Sequence, residues 1–106
     1  MIQNILLYLH LHFREHLTLN DIAEFAHLSP AYLSELFRQE TNSSLTQYLR
    51  DLRIDYAKKL LRSTDLSVLE IGFACGYSSH SNFLKYFKQT TGLSPLQYKK
   101  NFENER

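Results

Sequence analysis

The side chains that could do chemistry are few and widely spaced. His12 and His16 stand four residues apart, a spacing at which two imidazoles on one helix face can share a metal ion, but no third strong ligand accompanies them. We therefore interpret them as part of a solvated helix face. The single cysteine, Cys75, cannot close an intramolecular disulfide and is expected to be a small apolar core residue in a reducing compartment. No Gly-rich phosphate loop, pair of catalytic carboxylates or Ser-His-Asp arrangement can be assembled, so we expect no enzyme, metal or cofactor.

Charge is unevenly distributed along the 106 residues, although the formal net charge is only +1. Residues 1–41 carry two basic and five acidic side chains, whereas residues 71–102 carry four lysines and no acid. A basic surface is therefore expected near the C-terminal end. The longest stretch without Asp, Glu, Lys or Arg, residues 1–13, is too short to cross a bilayer, so no membrane contact is expected.

Helix signals place these side chains on seven helices and predict an all-α chain. Apolar residues at helical spacing from Ile2 to Phe13 predict the first helix. Four further helices begin with a pair typical of a capping box, in which two residues three apart bond each other's backbone. These pairs are Thr18/Asp21, Ser44/Gln47, Ser67/Glu70 and Ser94/Gln97. Two more helices begin at Ser29-Pro30 and at Ser79, and the one that begins at Ser44 runs to about Ser63.

The chain contains an internal repeat. A shift of 50 aligns positions 29–50 with 79–100, and seven of these 22 pairs are identical. The identical pairs are Ser29/Ser79, Phe37/Phe87, Gln39/Gln89, Thr41/Thr91, Ser44/Ser94, Gln47/Gln97 and Tyr48/Tyr98. Each copy has a short helix, a tight turn at His27 or Gly76, and a second helix, which is the pattern of a helix-turn-helix. We therefore divide the single domain 1–106 into a first unit at about 1–43, a linker helix at 44–63 and a second unit at 64–102.

The most specific motif lies in the second unit. It reads Glu70-Ile71-Gly72-Phe73-Ala74-Cys75-Gly76-Tyr77-Ser78-Ser79, then Phe83, Phe87-Lys88, Thr91-Gly92 and Ser94-Pro95. The linker adds Tyr48-Leu49, Arg53-Ile54, Ala57 and Leu60-Leu61. From about residue 6 to residue 98, the chain resembles the DNA-binding domain of the AraC/XylS family of bacterial transcription regulators. It departs from the family pattern at Gly72, where Ala is usual, at His27, and at Asn42, where the family often has Gly.

The resemblance implies that helices at about residues 30–41 and 79–91 read DNA bases. Helical geometry then selects the faces opposite the apolar positions. The expected base-reading residues are Ala31, Ser34 and Glu35 in the first helix and His80, Ser81, Asn82 and Lys85 in the second. The expected phosphate contacts are Arg38, Lys88, Lys99 and Lys100, with the helix amino ends at Ser29, Ser44, Ser79 and Ser94. Basic residues of the linker helix alternate with Asp51 and Asp55, which favours intrahelical pairing over phosphate binding, with Arg53 the foremost exception.

The resemblance thus implies a sequence-specific binder of double-stranded DNA that regulates or activates transcription in the bacterial cytoplasm and associates with the nucleoid when bound. The linker helix of about 30 Å is close to the roughly 34 Å that separates successive major-groove faces, so we expect one helix of each unit in successive grooves. RNA polymerase is an expected partner, and family members usually carry a companion effector or dimerisation domain that is absent from this chain. The alternative is a helical protein-interaction module without DNA affinity.

Overall fold

The computed structural model describes residues 1–104, and over that range the chain forms seven α-helices and no strand. The two last positions of the predicted domain, 105 and 106, lie outside the described residues. The helices are α1 (Ile2–His12), α2 (Leu19–Ala26), α3 (Pro30–Thr41), α4 (Leu45–Ser63), α5 (Val68–Ala74), α6 (His80–Thr91) and α7 (Pro95–Asn104). The predicted all-α class and the number of helices are confirmed within residues 1–104.

The helices begin where capping chemistry predicts. In α2 the Thr18 hydroxyl accepts from the Asp21 amide at 3.1 Å, and the Asp21 carboxylate accepts from the Thr18 amide at 3.0 Å. Ser67 and Glu70 make the same reciprocal pair before α5, as do Ser94 and Gln97 before α7. Each pair satisfies amide hydrogens that have no partner inside the helix, so the sequence alone determines these starts.

The helix ends match the predicted turns to within two residues. His27 adopts a left-handed conformation at φ 57°, and Asn42 and Gly92 do so at φ 58° and 80°. These residues let the chain leave α2, α3 and α6 abruptly. Three ends differ slightly from the positions that the sequence predicts: α1 ends at His12, one residue before Phe13; α5 ends at Ala74, one residue before Cys75; and α7 continues past Phe102, the end of the predicted second unit, to Asn104.

The chain divides into two compact units, Met1–Arg50 and Asp51–Arg106. The division falls inside α4, the helix that the sequence analysis assigns to the linker at 44–63. Different parts of α4 are buried in each: Leu45 and Leu49 in the first unit, and Ile54, Ala57 and Leu61 in the second.

The repeated residues make the same contacts in each unit. Phe37 and Tyr48 meet edge to face with ring centroids 5.3 Å apart, and Phe87 and Tyr98 do so at 5.7 Å. Each tyrosine hydroxyl also contacts another helix of its unit. The Tyr48 hydroxyl lies 2.9 Å from a ring nitrogen of His10 on α1, and the Tyr98 hydroxyl accepts from Arg62 on α4 at 3.4 Å. The repeat seen in the sequence is therefore a structural repeat of the packing.

The two helix-turn-helix arms of each unit pack closely. In the first unit Ile22, Leu33 and Phe37 are fully buried, and in the second Ile71, Phe83 and Phe87 are. A Cβ added at Gly72 would lie 2.8 Å from the ring of Phe83, so α5 and α6 approach more closely than an alanine would allow. The close packing of α5 against α6 therefore explains the glycine at position 72.

The structure decides two details of the core that helical spacing does not. The spacing in α2 allows either Phe25 or Ala26 to face inward; in the structure Phe25 is 45% exposed and Ala26 is half-buried. The apolar spacing in α4 predicts core positions at Leu45, Tyr48, Leu49, Leu52, Tyr56, Leu60 and Leu61, and it omits Ile54 and Ala57, which are fully buried. The face of a long helix that becomes buried depends on what packs against it, which local spacing does not record.

Candidate nucleic-acid interface

The predicted base-reading residues of the first unit are exposed on the outward face of α3. Ala31, Ser34 and Glu35 are all exposed, whereas Leu33 and Phe37 on the opposite face are buried in the core. This division follows from the helical period, because residues three and four apart share a face. Nothing in the unit covers the three outward side chains, so a ligand can reach them.

The second unit presents a more polar and more basic face on α6. His80, Ser81, Asn82 and Lys85 are exposed, and Phe83 and Phe87 anchor the helix from behind with no exposed surface. Asn82 has donors and acceptors for bidentate contact with adenine, and Lys85 can donate to guanine. Lys85 lies three and four positions after Asn82 and Ser81 and so shares a face with them, and His80 is exposed at the first position of α6.

The four predicted serines all act as N-caps. The hydroxyl oxygens accept backbone amide bonds of 3.1–3.3 Å, from Tyr32 to Ser29, Gln47 to Ser44, Asn82 to Ser79 and Gln97 to Ser94. Each hydroxyl keeps its own hydrogen for donation. The prolines that open α3 and α7 have no amide hydrogen, but the second residue of each helix keeps an amide hydrogen without a partner inside the helix, so each of these ends can receive a phosphate oxygen.

The predicted cationic residues are available to a polyanion. Arg38, Lys88 and Lys100 are exposed and Lys99 is half-buried. Within residues 1–104 none of these four makes an ion pair, and neither does Lys85. Glu35 and Arg38 stand three residues apart on α3 and could pair, but they make no ion pair with each other in this range.

Arg53 has a different environment from Lys58 on the same helix. Lys58 lies 3.8 Å from Asp55, as predicted for intrahelical pairing. The Arg53 guanidinium instead lies 5.8 Å from the centre of the Tyr77 ring, and burial lowers its pKa from the usual value. Arg53 therefore packs onto the turn that precedes α6, a role that charge alternation along α4 could not reveal.

His10 and His12 have partners other than a metal, and His16 is exposed beyond the end of α1, so His12 and His16 do not share a helix face as predicted. The Nδ1 atom of His12 pairs with the Glu15 carboxylate, and His10 bonds Tyr48. Among residues 1–104 no three His, Cys, Asp or Glu side chains cluster as a metal site. Cys75 is fully buried, and its thiol lies 3.4 Å from the Gly72 carbonyl oxygen. None of the helices described over residues 1–104 is both long and apolar enough to span a bilayer.

Comparison with known sequences assigns most of the chain to one class of domain. The family described as helix-turn-helix domain matches residues 22–101. The melibiose operon regulatory protein of Escherichia coli is 36% identical over 90 residues, which is 85% of this chain and 30% of that protein. The transcriptional regulator YobQ of Bacillus subtilis is 32% identical over 99 residues, which is 93% of this chain and 41% of that protein. The chain thus spans less than half the length of the curated relatives it matches.

Comparison with solved structures identifies the same architecture. The C-terminal domain of AraT, a response regulator from Geobacillus stearothermophilus, aligns with a TM-score of 0.91 at 37% identity, over 94% of this chain and 84% of that one. The DNA-binding domain of AdpA, a global transcriptional factor, was solved in complex with a target DNA. It aligns with a TM-score of 0.94 at 27% identity, over 98% of this chain and 94% of that one.

Proposed function

Since the chain belongs to the AraC-type helix-turn-helix family, a class of DNA-binding transcription regulators and not of enzymes, we propose that it recognises a specific duplex sequence through α3 and α6. The observation that carries this proposal is the pair of outward faces on those two helices. Each is exposed, polar and anchored from behind by buried leucine or phenylalanine side chains. The likeness to a domain solved with its target DNA supports it.

In this proposal α6 supplies most of the base reading. Asn82 contacts adenine through its side-chain amide, Lys85 donates to guanine, and His80 and Ser81 donate to bases or phosphates. In α3, Ala31 meets a thymine methyl, Ser34 bonds a base edge, and Glu35 accepts from a cytosine amino group.

The phosphate contacts come from the exposed cations and from the capped helix ends. They are Arg38, Lys88, Lys99 and Lys100, together with the amino ends at Ser29, Ser44, Ser79 and Ser94. These contacts position the protein and carry no base information of their own.

We expect a binding site of about 20 base pairs. The α3 helix would enter one major groove and the α6 helix the next. Because the two units are a tandem repeat in one chain, we expect the site to be asymmetric and to be read by one chain. Recovery of a strict palindrome with no binding to either half would contradict this expectation.

Regulation extends the proposal beyond the DNA. RNA polymerase is the expected partner when the bound protein activates transcription, and the expected location is the bacterial cytoplasm, at the nucleoid when DNA is bound. Since the curated relatives are more than twice as long, we also propose that the domain works with a companion effector or dimerisation domain.

Selection from a randomised duplex library tests the proposal directly. The selected duplex and a shuffled duplex of equal length should then be titrated at several salt concentrations. A DNA-binding domain should prefer the selected duplex and lose affinity steeply as salt rises, because binding releases counterions. A helical protein-interaction module would yield no enriched sequence and no such slope.

A further inference from the structure

Four side chains in the second unit form a continuous row that ends on the outward face of α6. The Arg53 guanidinium lies 5.8 Å from the centre of the Tyr77 ring. Tyr77 stacks on Tyr86, with ring centroids 6.1 Å apart and planes at 25°. The ammonium of Lys85 lies 5.5 Å from the centre of the Tyr86 ring. We refer to Arg53, Tyr77, Tyr86 and Lys85 as the aromatic row.

The inner part of the aromatic row is held by the core. Tyr77 is only 8% exposed and its ring also contacts that of Phe83, at 5.6 Å between centroids. Tyr86 is half-buried and packs against the core of the second unit. The Tyr86 ring is therefore a fixed surface, whereas Lys85 beside it is exposed and carries a flexible four-carbon chain.

A cation within about 6 Å of a ring centre is attracted to the face of the ring. This attraction restricts the positions that the Lys85 ammonium occupies before DNA arrives. A lysine confined in this way reaches fewer base-pair positions than a freely rotating one, and it loses less side-chain entropy when it binds.

We propose that Tyr86 is a positioning residue that determines where the Lys85 ammonium meets the base edges. Tyr86 thereby contributes to base preference without touching DNA. The inference rests on the proposed function, because it assigns a role within the base-reading face of α6. The corresponding position in α3, Leu36, has no ring, and Glu35 occupies the place of Lys85, so the device belongs to the second unit alone among residues 1–104.

The expected effect is confined to one base pair. At an exposed site a cation–π contact is worth a factor of about two to five in an equilibrium constant. Loss of the ring should therefore reduce discrimination at the base pair read by Lys85 about two- to fivefold, with little change in affinity for random DNA.

The test begins by locating that base pair. Wild type and Lys85→Ala are titrated against the selected duplex and its single-base-pair variants, and the position at which Lys85→Ala no longer discriminates is the one read by Lys85. Tyr86→Phe, which keeps the ring, should behave like wild type there. Tyr86→Leu should discriminate about two- to fivefold less at that base pair. Added to Lys85→Ala, Tyr86→Leu should cause no further loss of discrimination there.

A second variant separates ring electrostatics from packing. Pentafluorophenylalanine at position 86 keeps the size of the ring but reverses the charge distribution of its face. It should match Tyr86→Leu in discrimination while melting like Tyr86→Phe, which keeps the proposal testable if Tyr86→Leu does not fold.

Three outcomes would overturn the proposal: an equal loss at every base pair, a loss that persists in the Lys85→Ala background, or a gain in discrimination once the ring is removed. The first two would assign Tyr86 a purely structural role, and the third would mean that the ring withholds Lys85 from DNA. Failure of the proposed function would look different, because wild type itself would then show no preference for the selected duplex.

Discussion

The contrast between Glu35 and Lys85, which occupy equivalent positions of the repeat, predicts that the two recognition helices contribute unequally to binding. Both side chains are exposed on outward faces, and neither makes an ion pair within residues 1–104. In the proposed complex, Glu35 therefore presents a negative charge to the DNA and Lys85 a positive charge. The perturbation is to replace each in turn with alanine.

The two replacements should change DNA binding in opposite directions. Lys85→Ala should weaken binding to the selected duplex by about 1–3 kcal/mol, which is about 5- to 150-fold, and reduce the salt slope by about 1. Glu35→Ala removes a like charge near the phosphates; at about 7 Å in water that repulsion is about 0.6 kcal/mol before screening. It should therefore strengthen binding to random DNA about two- to threefold.

Glu35→Ala should also narrow the gap between selected and random DNA, because the specific acceptor for cytosine is lost. The assay is a titration of fluorescent selected and shuffled duplexes at one salt concentration. Glu24→Ala is the matched control, since Glu24 is an exposed carboxylate of the same unit on α2. A general charge effect would appear equally in Glu24→Ala. Equal losses of affinity for Lys85→Ala and Glu35→Ala on both duplexes would refute the reasoning.

Three further predictions concern the framework of the domain. Ala57→Pro, at a fully buried position in the middle of α4, should cost about 3 kcal/mol or more in urea unfolding and abolish recognition; normal melting with unchanged affinity would contradict it. Gly72→Ala should lower stability by about 1 kcal/mol, because overpacking against Phe83 outweighs the better helix propensity of alanine. The same substitution should cost less stability in a Phe83→Leu background, where the ring is absent. A Gly72→Ala protein more stable than wild type would show that the Phe83 ring moves freely. Bonds from the Thr18 and Ser67 backbones lower the pKa of Asp21 and Glu70, so their contribution to stability is present at neutral pH and is lost as pH falls through their folded pKa values. The urea midpoint should therefore change less between pH 7 and pH 3 in Glu70→Gln than in wild type. The same change in both proteins would mean that the Glu70 cap contributes no pH-dependent stability.

Much of the fold could be predicted from the sequence because its signals are local. A capping box such as Thr18/Asp21 needs only residues three apart, and a left-handed end such as Asn42 needs only one residue. The repeat was equally readable, because Phe37 and Tyr48 recur as Phe87 and Tyr98 with the same spacing. The exposed faces of α3 and α6 followed from the helical period once the buried positions were known.

Tertiary structure alone decided which side chains meet across sequence distance. Arg53 had the same local pattern as its neighbours on α4, yet it packs against Tyr77, 24 positions further along the chain. The helical period places Tyr86 with the apolar residues Phe83 and Phe87 of α6, whereas the structure leaves it half-buried between Tyr77 and Lys85. The physical reason is that a ring's partners and its exposed edge depend on the packing of α4, α5 and α6 against each other, and neither helical period nor capping chemistry encodes that packing.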